Sequence, residues 1–123
     1  MPTLDRVQAF IARVESTDYV GAIVDFYHED ASMQENMGEP RRGRDHLVAH
    51  EIDIAARFGR MPVRKVERFA ISGETVFVNW VFEIAQKDGS VRPFDEISVQ
   101  TWRGDRIAEE RFYYDPAQLK PAQ

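Results

Sequence analysis

The chain has 123 residues, of which 43% are hydrophobic and 30% charged, with a formal net charge of -5, the balance of a single ordinary globular domain. The acidic balance argues against a nucleic-acid-binding face, the absence of cysteine excludes disulfides and thiolate chemistry, and no apolar run approaches the length of a membrane span. Residues 1–6 lack the basic and apolar regions of a secretion signal, so the expectation is a cytoplasmic protein with neither nucleic acid nor membrane as partner. Arg41, Arg42 and Arg44 form a basic cluster, and Glu39 and Asp45 beside them mark it as a solvated loop.

Residues 3–16 predict an amphipathic helix, capped by Thr3 and striped by Leu4, Val7, Phe10, Ile11 and Val14. Ser16, Thr17 and Asp18 break that pattern and cap a second helix that carries Tyr19, Val20, Ile23, Val24, Phe26 and Tyr27 and closes at His28, Glu29 and Asp30. Residues 31–35 predict a short strand, and Gly38, Glu39 and Pro40 a turn. Gly43 opens a third helix, with Asp45 in its first turn and Leu47, Val48, Ile52, Ala55 and Phe58 on its expected buried side. Gly59 and Pro62 end it. Strands are predicted at 63–72, 76–86, 91–102 and 106–114, separated by turn signals at Gly73, Gly89 and Gly104. The tail 116–123 is expected to fray. Three helices followed by an antiparallel meander define an α+β chain.

Strand 76–86 places Val76, Val78, Trp80, Phe82 and Ile84 on one face and Phe77, Asn79, Val81 and Glu83 on the other. Both faces are apolar. One meets the helices. The other calls for a cover, and the simplest is a second copy of the chain, so a homodimer through the outer sheet face is expected.

The run Phe26-Tyr27-His28-Glu29-Asp30-Ala31-Ser32-Met33, then Gly38 and Arg42-Gly43-Arg44, resembles the nuclear transport factor 2-like superfamily. There a helix ending in FY-x-D-D-A leads into a strand, and an RG pair precedes the third helix. The closing stretch, with Gly104, Asp105, Ile107, Glu109 and Asp115, is similar to that superfamily's last hairpin. The resemblance is to its SnoaL-like and steroid Δ-isomerase-like branch. It implies one domain over residues 1–123, a cone-shaped curved antiparallel sheet with the three helices on its concave face, and an open end that admits a small apolar or aromatic organic molecule. No cofactor is expected. Members include isomerases, polyketide cyclases, hydrolases, dehydratases and non-catalytic binding domains, so the fold leaves the activity open.

Carried across residue by residue, the steroid isomerase pattern puts its base on Glu35 and its acid near Asp95 or Ser98. Its tyrosine position falls on Phe10 or Ile11, neither of which donates a hydrogen bond, so steroid isomerisation itself does not carry over. The acid of the epoxide hydrolase pattern falls on Phe112, and that chemistry does not carry over either. The same pattern lines the pocket with Trp80, Phe82, Ser98, Gln100, Trp102, Glu110, Phe112 and Tyr114, under His50 from the third helix. The catalytic candidates are therefore Glu35, His50 and Asp95. A carboxylate in an apolar mouth has its charged form disfavoured, which suits a general base. Asp95 and Glu96 are adjacent in a strand, so at most one of them enters the pocket. His46 and His50 lie four apart on a helix, but no third ligand accompanies them and no metal is expected. Two readings stay open: an acid/base isomerase or cyclase, and a non-catalytic ligand-binding or dimerisation domain.

Overall fold

Helix α1 spans Leu4–Glu15 and begins where Thr3 accepts a hydrogen bond from the Arg6 backbone N–H at 3.1 Å. Val7, Phe10, Ile11 and Val14 are its buried stripe. Asp18 then caps α2, Tyr19–Phe26, by accepting from the Gly21 N–H at 3.0 Å. The computed structural model describes residues 1–59 and 61–120.

The second helix stops earlier than its sequence suggests. Strand β1 runs Tyr27–Glu35, so Tyr27, His28, Glu29 and Asp30 are extended rather than helical. Tertiary contacts override the local helix signal here. The Tyr27 carbonyl accepts from Arg44 and Arg106, at 3.3 and 3.2 Å, and its ring is buried in the core. A two-residue strand β2, Arg41–Arg42, and helix α3, Arg44–Phe58, follow. Of the expected buried side of α3, only Leu47 is buried; Val48 is half-buried, and Ile52, Ala55 and Phe58 are exposed. Much of the inner side of α3 overhangs a cavity rather than the core.

Strands β3 (Phe69–Ser72), β4 (Thr75–Ala85), β5 (Val91–Arg103) and β6 (Arg106–Tyr113) form the expected antiparallel meander. The strand expected at 63–72 is regular only from Phe69. Upstream, Pro62 accepts from Glu83, Arg64 donates to Val81, and the Val66 N–H is taken by the Glu15 carboxylate at 2.8 Å. That segment therefore follows β4 without a continuous ladder. The complete sheet has the order β2-β1-β6-β5-β4-β3, and β1 joins β6 in parallel, so the six-stranded sheet is mixed.

Phe10 sits at the centre of the core and meets Phe26, Tyr27, Trp80 and Trp102 edge-on, at centroid distances of 5.5–6.1 Å. Burial of each such side chain contributes about 2 kcal/mol before its ordering entropy is counted. The tail corrects the expected fraying: Pro116–Leu119 forms a 3-10 turn, and Gln118 bonds the backbone N–H and C=O of Asp95, both at 2.9 Å. Residues 121–123 lie outside the described residues.

Candidate functional site

Strand alternation and register build the inner face of the sheet row by row. Met33 lies opposite Glu110, and Glu110 opposite Gln100; Glu35 lies opposite Phe112, and Phe112 opposite Ser98; Trp80 lies opposite Glu96, and Phe82 opposite Phe94. Over the open end of this grid lies a cavity of about 680 Å³, within the size range of small-molecule sites. Its wall surface is mostly apolar, with Met33, Ile54, Phe82, Phe94 and Phe112 among the lining residues, and Glu35, Arg41, His50, Glu51, Glu96 and Tyr114 are among its polar ones.

Glu35 ends β1, and the adjoining β2 brings Arg41 Nη1 to 2.7 Å from its Oε2. Arg41 Nε is shielded from solvent and has no hydrogen-bond partner among the described residues. His50 and Glu51 come from α3. Burial and the neighbouring Arg41 lower the pKa of His50, so the imidazole is neutral at neutral pH. Burial raises that of Glu51.

Two further carboxyls come from the sheet. Glu96 is 7% exposed, and its carboxyl has no hydrogen bond among the described residues. Burial, followed by the charges of Glu110, Glu35, Glu51 and Asp95, pushes its pKa up to about 9, so it is a neutral acid at neutral pH. Glu110 is equally buried but well bonded: Tyr27 donates to one oxygen and Gln100 Nε2 to the other at 2.8 Å. Burial pushes Glu110 up to about 7, against the hydrogen bonds from Tyr27, Gln100 and Ser98. The chain continues to Trp102, whose indole N–H donates to Gln100 at 3.0 Å, while Trp80 donates to Ser98 at 3.0 Å.

Of the residues expected from the sequence, Glu35, His50, Phe82, Phe112 and Tyr114 line the large cavity, and Trp80 and Glu110 line a smaller chamber beside it. Ser98, Gln100 and Trp102 are fully buried behind these and line neither. Asp95 is placed elsewhere: it is exposed on the outer face, where Asn79 donates to it at 2.7 Å. Glu96 takes the inward position instead. His46 is exposed, and among the described residues no three His, Asp or Glu side chains gather closely enough to hold a metal ion.

The sequence matches the SnoaL-like domain over residues 7–110. The chain belongs to the SnoaL-like family. Solved structures agree on the fold. A protein from Mesorhizobium loti, named provisionally as a SnoaL-like polyketide cyclase, is 22% identical over 93% of this chain and 100% of its own, with a TM-score of 0.76. TerC, crystallised with polyporic acid, is 17% identical over 97% and 95%, with a TM-score of 0.80. A protein with a ketosteroid isomerase-like fold from Catenulispora acidiphila, solved in complex with trimethylamine, is 18% identical over 95% and 90%, with a TM-score of 0.77. No curated protein matches the sequence. At these identities the likeness extends to the SnoaL-like fold and leaves the chemistry to the site.

Proposed function

We propose that this SnoaL-like domain binds a small, mostly apolar organic molecule in its large cavity and catalyses proton transfer at a carbon next to a carbonyl. Glu35 takes the proton. Glu96 donates a hydrogen bond to the carbonyl oxygen. The C–H bond breaks, its electron pair becomes the C=C bond of an enol, and the oxygen takes the developing charge against the Glu96 O–H. Return of the proton to a different carbon completes an isomerisation. Attack of the enol carbon on a second carbonyl of the same molecule closes a ring. The observation that carries this reading is Glu96, a buried and unbonded carboxyl in the cavity wall that is protonated at neutral pH. Arg41 steadies Glu35 from one side, and neutral His50 is a second proton acceptor in the same cavity. The small organic molecules bound by TerC and by the Catenulispora protein support a ligand of that general class.

The test is deuterium wash-in, followed by NMR, with a panel of cyclic and aryl ketones in D₂O. The wild type exchanges α-protons faster than buffer, and Glu96→Gln and Glu35→Gln each lose about 100-fold or more. Saturable ketone binding without exchange selects the non-catalytic reading of the same pocket. No binding and no exchange removes both.

We propose further that two copies associate through the outer sheet face, and that the protein works in the cytoplasm. Among the described residues no helix is long and apolar enough to cross a membrane.

A further inference from the structure

Behind the large cavity is a chamber of about 90 Å³, well under the ~150 Å³ of a site that admits benzene. Tyr19, Met33, Glu51, Phe82 and Phe112 line both spaces, so the chamber adjoins the cavity. Phe10, Tyr27 and Trp80 also line it, together with the aliphatic Val14, Ala22 and Ile23. Among the described residues its charged side chains are two carboxyls, Glu51 and Glu110, and no described Lys, Arg or His lines it.

That charge pattern is unusual for a mere core defect. Buried carboxyls are ordinarily paired with a cation or fully bonded. Glu110 has its two donors. Glu51 is half-buried and has no hydrogen-bond or ion-pair partner among the described residues, and the nearby guanidinium of Arg41 is engaged by Glu35. Beyond the chamber, Glu35 from β1 is paired with Arg41 from β2, and Glu96 from β5 and His50 from α3 are neutral at neutral pH. A compact cation would complete this set. Among the described residues no three His, Asp or Glu side chains gather to hold a metal ion, and the aromatic side chains suit alkyl groups on a positive nitrogen, which ring faces attract.

We infer that the inner chamber is a subsite for a compact alkylammonium group, its nitrogen held by Glu51 and facing Glu110, its carbons against Trp80, Phe82 and Phe112. This deepens the reading of the large cavity as a ligand site: the substrate is an amine-bearing carbonyl compound, with its amine inside and its carbonyl in the outer cavity. Burial raises the pKa of Glu51 and holds Glu110 at about 7, so a bound cation drives protons off Glu110.

The experiment compares ethylammonium chloride with ethanol, a neutral molecule of nearly the same shape, by calorimetry at pH 7 in two buffers of different ionisation enthalpy. The ammonium binds about tenfold tighter and releases protons to the buffer. Glu51→Gln removes the preference and leaves ethanol binding unchanged, and a melting curve establishes that this variant is folded. Equal binding of the two probes, no saturable ammonium binding, or a preference that survives Glu51→Gln overturns the inference. Ketone exchange at Glu35 and Glu96 reads the outer cavity separately, so either reading fails without taking the other with it.

Discussion

Glu110 combines two good hydrogen bonds with complete removal from water, and the desolvation prevails: its pKa rises from 4.5 to about 7. A carboxyl raised in the folded state stabilises the protein in its protonated form. That stability is fully present below about pH 4.5 and lost as pH rises through about 7, where the native state also ionises. The shift corresponds to about 3 kcal/mol at its limit. Urea unfolding at pH 4.5 and pH 8 tests it: the wild type is less stable at the higher pH, and Glu110→Gln loses Glu110's share of that slope while the share of Glu96 remains. The amide still accepts from Gln100 and donates to the Tyr27 oxygen, so an unchanged slope in the variant contradicts the assignment. Glu96 extends the logic to catalysis: the exchange rate falls as pH passes about 9, when the donor loses its proton. Glu96 was also legible in the sequence, though not in the likeness to steroid isomerases. Ser98, Gln100 and Trp102 on the inner face require Glu96 there by strict alternation and put Asp95 outside. The borrowed alignment pulled the other way, because it carries a residue type and not a strand register.

At the scale of elements, helix α3 shows why a cavity is harder to read than a core. Leu47, Glu51, Ile54 and Phe58 are spaced i, i+4, i+7 and i+11 and form one inner stripe. Following only apolar residues steps off it to Ile52 and Ala55, because the stripe contains a carboxylate. Strands β4, β5 and β6 were legible because alternation persists over many residues. The end of α2 and the segment 63–68 were not, because their conformation is set by distant partners, Arg44 and Arg106 for one and Glu15 for the other. Two substitutions separate stability from function in the helices. Thr3→Ala removes the α1 cap and costs about 1 kcal/mol, a drop of about 4 °C in Tm. Glu51→Leu completes the α3 stripe with an apolar side chain. It raises stability at neutral pH by about 1 kcal/mol while abolishing the ammonium preference. A Glu51→Leu variant less stable than wild type would show that this carboxyl supports the fold.

The whole molecule has two differently finished sheet faces. The inner face carries the core and the cavity; the outer face carries Phe77 opposite Val99, and Ile97 opposite both Asn79 and Tyr113. Phe77, Ile97 and Tyr113 are each about two-fifths exposed, at 39%, 42% and 43%, and they are contiguous across three strands. Contiguous apolar patches of this kind mark association sites more often than scattered single residues do. A copy related by a two-fold axis matches the patch with itself. Because the cavity lies on the opposite face, such a dimer leaves the site accessible. Sedimentation therefore gives a mass of about twice 14.2 kDa for the wild type. Phe77→Arg places a charge at the centre of the patch and yields a folded monomer that binds ethylammonium as the wild type does. A wild type that sediments as a monomer at every attainable concentration removes the dimer. Loss of ammonium binding in a folded Phe77→Arg monomer instead couples the two faces and makes the association part of the site.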